Sequence, residues 1–157
     1  MPSVLFVCTA NRFRSPLAEC FFKAQLQSRN LTDWIVSSAG TWTKSGLPAM
    51  DSAVKIAFDY GLDVSSHQSS LIDINTVQAN QLILVMESGQ KEALSIEYPS
   101  CKDRVYLLSE AVSQKTFEIP DPFSKNESPH LIGNELYSLI RDGAQSIISL
   151  AIRMELD

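Results

Sequence analysis

The chain has little of several things. It holds only three cysteines, irregularly spaced, so no disulfide framework can be read from it. A chain without one suits a reducing compartment, and the cytoplasm is the expected location. No apolar run approaches the about 20 residues that cross a bilayer, so no membrane partner is expected. Met1-Pro2-Ser3 leads into neither a basic region nor an apolar stretch long enough for a signal peptide. Cationic excess is missing too. Thirteen Lys and Arg stand against 18 Asp and Glu, a formal net charge of −5, which leaves no footprint for nucleic acid. Internal repeats, low-complexity tracts and linkers are absent, and 157 residues suit one domain, 1–157, with its own core.

What is present is an alternation of two periodicities. Residues 4–7, 34–37, 82–86 and 105–108 read as strands, the first and third almost continuously apolar, as in strands covered on both faces. Helical patterns fill the gaps at 15–28, 48–60 (closed by Gly61) and 88–98. A last helix carries Leu136, Ile140, Ala144, Ile147, Ile148 and Ala151 on one face. The alternation predicts an α/β fold: a doubly wound, four-stranded parallel sheet of order 2-1-3-4 with helices on both faces. Residues 109–130 form the longest stretch without a clear period, and long loops in compact domains are often functional.

The most informative segment is Cys8-Thr9-Ala10-Asn11-Arg12-Phe13-Arg14-Ser15-Pro16. It joins the first strand to a helix, where successive N–H groups and the helix dipole converge on an anion. A thiol there is drawn toward its nucleophilic thiolate. Arg14 can grip a tetrahedral oxyanion by two N–H groups, and Pro16 fits a first helical turn. Together these parts suit covalent phosphoryl transfer through Cys8. Ser15 reads either as a donor to the Cys8 sulfur or as a helix cap. Trp42 and Phe123 are candidate walls of a substrate cleft, Trp42 with a core role as close rival, while Trp34 reads as structural. Asp121 stands between Pro120 and Pro122 and reads, on residues alone, as the start of a turn.

The segment resembles the signature of the low-molecular-weight protein tyrosine phosphatases, Cys-x-Gly-Asn-x-Cys-Arg-Ser-Pro, and the resemblance extends over nearly the whole chain. It implies that Cys8 attacks phosphorus to form a thiophosphoryl enzyme, with Thr9, Ala10, Asn11, Arg12, Phe13 and Ser15 completing the phosphate loop around Arg14. It implies that Ser15 serves the sulfur, that Asn11 joins Ser38 and His67 in a supporting network, and that Asp121-Pro122-Phe123 is the general-acid loop. It also implies a phosphotyrosine-containing protein substrate, inhibition by phosphate and vanadate, and no cofactor or metal. Phosphoarginine phosphatases and arsenate reductases share this loop. The second chemistry passes electrons through further cysteines, and residues 82–89 contain none. The chain departs from the signature at Ala10, where Gly is usual, and at Phe13, where a second, protective cysteine is common. At Arg12 the phosphoarginine-directed members carry threonine; an arginine there either faces the cleft mouth or points to solvent.

Overall fold

The structure, a computed structural model, describes residues 1–113, 115–124 and 126–156. Four parallel strands, β1 (Ser3–Cys8), β2 (Ile35–Gly40), β3 (Leu82–Val85) and β4 (Val105–Leu107), form one sheet of order β2-β1-β3-β4. This is the predicted order. The helices are α1 (Arg14–Ser28), α2 (Asp51–Asp59), α3 (Ile74–Ala79), α4 (Ser88–Glu97), α5 (Leu108–Val112) and α6 (Pro129–Leu156), with a 3₁₀ segment at Pro99–Arg104.

The central strands explain the layering. Val4, Phe6 and Cys8 of β1, with Leu82, Leu84 and Met86 at β3, pack against α1, α2, α5 and α6. Leu5 and Val7, with Ile83 and Val85, point the other way, toward Val77 of α3, Leu94 of α4 and the fully buried Cys101. Alternate side chains of a strand face opposite sides, so a strand apolar throughout needs cover on both. Burying each such side chain contributes about 1.5–3 kcal/mol, which anchors β1 and hence the site at its C-terminal end.

Several boundaries differ from expectation. β2 begins at Ile35, and Trp34 stands just before it, edge-on to Phe22 at 6.0 Å. α1 buries Leu17, Ala18, Phe21, Phe22 and Leu26, whereas Cys20 and Ala24 lie at its half-exposed margin. The helix is wedged between the sheet and α6, so its buried face is shifted and wider than a single stripe. Within residues 109–130, α5 reaches Val112 and α6 begins at Pro129; positions 114 and 125 lie outside the described residues. The short α3 and the 3₁₀ segment carry too few turns for periodicity to reveal them. All six residues expected on the inner face of the last helix are buried. Gly61 ends α2 at φ +74°, the left-handed C′ position expected of it. Among the described residues no helix is long and apolar enough to cross a membrane.

Candidate active site

The turn from β1 into α1 wraps around its own amides because its carbonyls are held from outside. The carbonyl of Cys8 accepts from Thr41 N at 3.0 Å, that of Thr9 from Trp42 N at 2.9 Å, and that of Arg12 from Met50 N at 2.8 Å. The Asn11 carbonyl lies 2.7 Å from His67 Nε2, and Phe13 O accepts from Leu17 N at 3.1 Å. With five carbonyls turned outward, the intervening N–H groups turn inward, and those of Ala10, Arg12 and Phe13 find no acceptor among the described residues. Asn11 makes the tightest bend at φ +57°, a conformation asparagine tolerates better than most side chains. Gly40, ending β2, lets that strand approach: a Cβ there would lie 2.6 Å from Thr9 O.

The Asn11 side chain organises the sulfur's surroundings. Its Nδ2 donates to Ser15 Oγ at 2.7 Å and to Ser38 Oγ at 2.9 Å, while its Oδ1 accepts from Ser70 N at 2.9 Å. Ser38 in turn donates to Glu19 Oε1 at 2.7 Å. Ser15 Oγ lies 3.0 Å from Cys8 Sγ, and Asn11 N donates to the same sulfur at 3.3 Å. The Ser15 oxygen already accepts from Asn11, so its single proton is free for the sulfur. Both groups converge on the sulfur from the side of the loop. The two readings of Ser15 are thereby separated: helix α1 starts one residue earlier, at Arg14.

Arg14 is 3% exposed and its guanidinium is held at one end. Nη1 pairs with the Glu87 carboxylate and donates to Ile119 O at 2.8 Å. Nη1 carries two protons, so both are committed. Nε and Nη2 have no acceptor among the described residues, and two N–H groups on one edge of a guanidinium match two oxygens of a phosphoryl group. The buried charge stays compensated by Glu87, which stands just past β3.

A cavity of about 170 Å³ lies above the loop, lined by Cys8, Ala10, Arg12, Phe13, Arg14, Met50, Asp121 and Phe123. Asp121 thus reaches the thiol's cavity across more than 100 residues of sequence, and Phe123 supplies an aromatic wall. Trp42 does not: it is 83% exposed and outside the cavity lining, although its backbone braces Thr9. Met50 takes part of the wall instead. Arg12 is tethered at the rim by Nε donating to Pro48 O at 2.8 Å. Four supporting residues had no sequence signal of their own: Glu19, Glu87, Gln90 and Ser70. Gln90 donates to Thr9 Oγ1 at 3.1 Å and accepts from Met86 N and Glu87 N, tying α4 to the loop. Of these, only Glu19, one helical turn beyond Ser15, could have been suspected from spacing.

The other thiols stand apart. Burial, with the Glu19 carboxylate beside it, pushes the Cys20 thiol up to about 11. Burial also raises that of Cys101, on the opposite face of the sheet. Among the described residues no group of three or more His, Cys, Asp or Glu is placed to hold a metal ion.

A strand–loop–helix that presents inward amides, a hydrogen-bonded cysteine sulfur and a half-committed arginine to one anion defines the class of cysteine-dependent phosphatases. The chain belongs to the low molecular weight phosphotyrosine protein phosphatase family, whose model matches residues 3–150. It is 33% identical over 123 residues to the probable low molecular weight protein-tyrosine-phosphatase EpsP of Ralstonia nicotianae, covering 78% of this chain and 79% of the relative. The YwlE arginine phosphatase from Geobacillus stearothermophilus superimposes with a TM-score of 0.84 at 27% identity, over 98% of this chain and 97% of that one. Vibrio vulnificus Wzb in complex with benzylphosphonate does so with a TM-score of 0.76 at 31% identity, over 92% and 95%.

Proposed function

We propose that this chain hydrolyses phosphotyrosine in proteins, and small aryl phosphates, through a phosphorylated cysteine. Cys8, as thiolate, attacks phosphorus while the bond to the phenolic oxygen breaks. The inward amides and the Nε–Nη2 edge of Arg14 hold the charge spread over the transferring group. Asp121 gives its proton to the departing oxygen, which would otherwise leave as phenolate. The resulting Asp121 carboxylate then takes a proton from water as that water attacks the thiophosphate. Inorganic phosphate leaves and the Cys8 thiolate returns, its charge held by Ser15 and the Asn11 amide. The Glu19–Ser38–Asn11 chain and the His67 contact to Asn11 O keep the loop in the geometry that this requires.

The observation that carries the reading is that Cys8, Arg14 and Asp121 border one small cavity with Phe13, Met50 and Phe123 as walls. An engineered cavity of about 150 Å³ takes up benzene, so about 170 Å³ suits a single aromatic ring. Likeness to the YwlE arginine phosphatase favours a second reading, phosphoarginine hydrolysis. A guanidinium leaving group, however, would meet the Arg12 cation at the rim and apolar walls, with Asp121 as the one carboxylate in the lining. Hydrolysis of p-nitrophenyl phosphate with and without vanadate, followed by paired phosphotyrosine and phosphoarginine peptides, tests both. Vanadate-sensitive turnover with the tyrosyl peptide preferred is expected. Preference for the arginyl peptide would replace the first reading with the second, and no turnover of any phosphoester would refute both.

A further inference from the structure

Phe13 occupies the signature position where a second cysteine is common, and the chemistry above uses its amide and its place in the wall but assigns its ring no further task. Only 4% exposed, it nonetheless lines the cavity, and its main chain is fixed by Leu17 N at 3.1 Å. Its ring meets that of Phe123 edge to face, with centroids 5.3 Å apart and planes at 85°. Phe123 lies two residues beyond Asp121, and its N–H donates to Asp121 Oδ1 at 3.0 Å. Two contacts therefore lead from the floor of the phosphate loop to the carboxyl group opposite. Phe123 is itself 47% exposed, so the Phe13 ring is the buried side of the pair.

We propose that Phe13 is the positioning residue for the general acid: its ring docks Phe123, and the Phe123 amide then orients the Asp121 carboxyl group over the leaving oxygen. The inference rests on the reading of Asp121 as proton donor. With Oδ1 occupied by the amide, Oδ2 is the oxygen that presents the proton. A thiol at position 13 is too short to make this contact, so here the aromatic pair replaces a cysteine with a support for the acid loop. An edge-to-face pair is worth roughly three- to tenfold in an equilibrium or rate that depends on it.

The test uses Phe13→Leu, Phe123→Leu and the double variant, with kcat/KM measured over aryl phosphates from strongly activated leaving groups to phenyl phosphate. The expected result is a loss on phenyl phosphate that exceeds the loss on the activated esters by roughly three- to tenfold, the smaller loss being the wall contact that all aryl substrates share, and unchanged vanadate affinity. The double variant should be no worse than the more impaired single one, because both break the same contact. Equal losses across the series, weakened vanadate binding in step with them, or additive losses in the double variant would overturn the role. If Phe13→Leu fails to fold, the surface variant Phe123→Leu decides alone, by whether its leaving-group dependence steepens. A wild type that turns over aryl phosphates while the variants lose rate uniformly refutes only the role of Phe13. A wild type inactive on all of them refutes the phosphatase reading as well.

Discussion

The phosphate loop, residues 8–15, and the segment around the acid, residues 115–124, face each other across one cavity and are built in opposite ways. On the nucleophile's side the carbonyls and the Asn11 side chain are held, and only the donors that face the cavity are left open. The carbonyls are tied to Thr41, Trp42, His67, Met50 and Leu17, and the Asn11 side chain is satisfied at all three of its hydrogen-bonding contacts. On the acid's side the chain is pinned at few points. Phe117 exchanges two hydrogen bonds with Ser109 Oγ, Ser88 N donates to Glu118, and Ile119 is held by Met86 O and Arg14, all at the base; beyond them lie Glu127 N donating to Pro122 O and the Phe13–Phe123 contact. Dipoles aimed at developing charge help most when they need no rearrangement during reaction, which favours the rigid side for binding phosphate. A proton donor must admit substrate beneath it and release alcohol past it, which favours a segment held at its base and tip.

The comparison can be broken by substitution. The largest effect belongs to Cys8→Ser, which should abolish turnover while leaving thermal unfolding and vanadate-site folding intact, since a serine hydroxyl is not ionised beside Asn11 N. Residual turnover above background would remove Cys8 from the nucleophile's role. Next comes Asp121→Ala, with an expected loss of about 10²–10⁴ in kcat/KM on phenyl phosphate and a much smaller loss on activated esters. Because the acid segment is loosely held, the same variant should leave stability within about 0.5 kcal/mol of wild type. Asn11→Ala should behave in the reverse manner. It leaves Ser15, Ser38 and Ser70 N each short of a partner, and a buried group so deprived costs about 1–3 kcal/mol, so a loss near 3 kcal/mol should appear in denaturant melts. Equal destabilisation by Asp121→Ala and Asn11→Ala would erase the contrast between the two loops. The smallest effect concerns Arg12→Ala. An exposed ion pair is worth about 0.2–1 kcal/mol, so preference for phosphotyrosine peptides with acidic flanks should fall less than about fivefold. The difference should vanish in high salt, and identical peptide preferences at low salt would mean that the Pro48 tether keeps Arg12 out of selection.

The division between the loops also governs what can be read from sequence. The phosphate loop is contiguous, so Cys8, Asn11, Arg14 and Ser15 declare themselves by spacing, and β1 and β3 declare themselves by unbroken apolar runs. The groups that hold the loop in place come from Ser38 in β2, His67 between α2 and α3, Glu87 just past β3 and Gln90 in α4, and no local pattern marks a partner that is distant in sequence. Ser38 and His67 were reachable through family resemblance alone. Glu19, Glu87 and Gln90 carry no local mark of their roles, since a carboxylate or amide near a helix start reads as surface. Trp42 shows the opposite error. An aromatic residue just past a strand end suggests a cleft wall, but its backbone is spent on Thr9 O, which swings the indole into solvent while Met50 fills the wall. The short α3 and α5 escape because a helix of one or two turns leaves no periodic trace.

Position 13 also fixes how the protein records chemical history. A cysteine sulfur that attacks phosphorus is also open to peroxide, and its first oxidation product, a sulfenic acid, is recovered most readily when a neighbouring thiol traps it as a disulfide. Here the neighbour is a benzene ring. Cys101 lies on the far side of the sheet, and burial pushes the Cys20 thiol up, away from its nucleophilic form. A sulfenic acid at Cys8 therefore has no protein thiol beside it and relies on thiols from solution before a second oxidation takes it to the sulfinic acid, a step that thiol reductants do not reverse. Where a second cysteine makes oxidation a pause in activity, Phe13 should make it costlier: after peroxide, thiol reductant is expected to restore less activity here than in relatives that carry that cysteine.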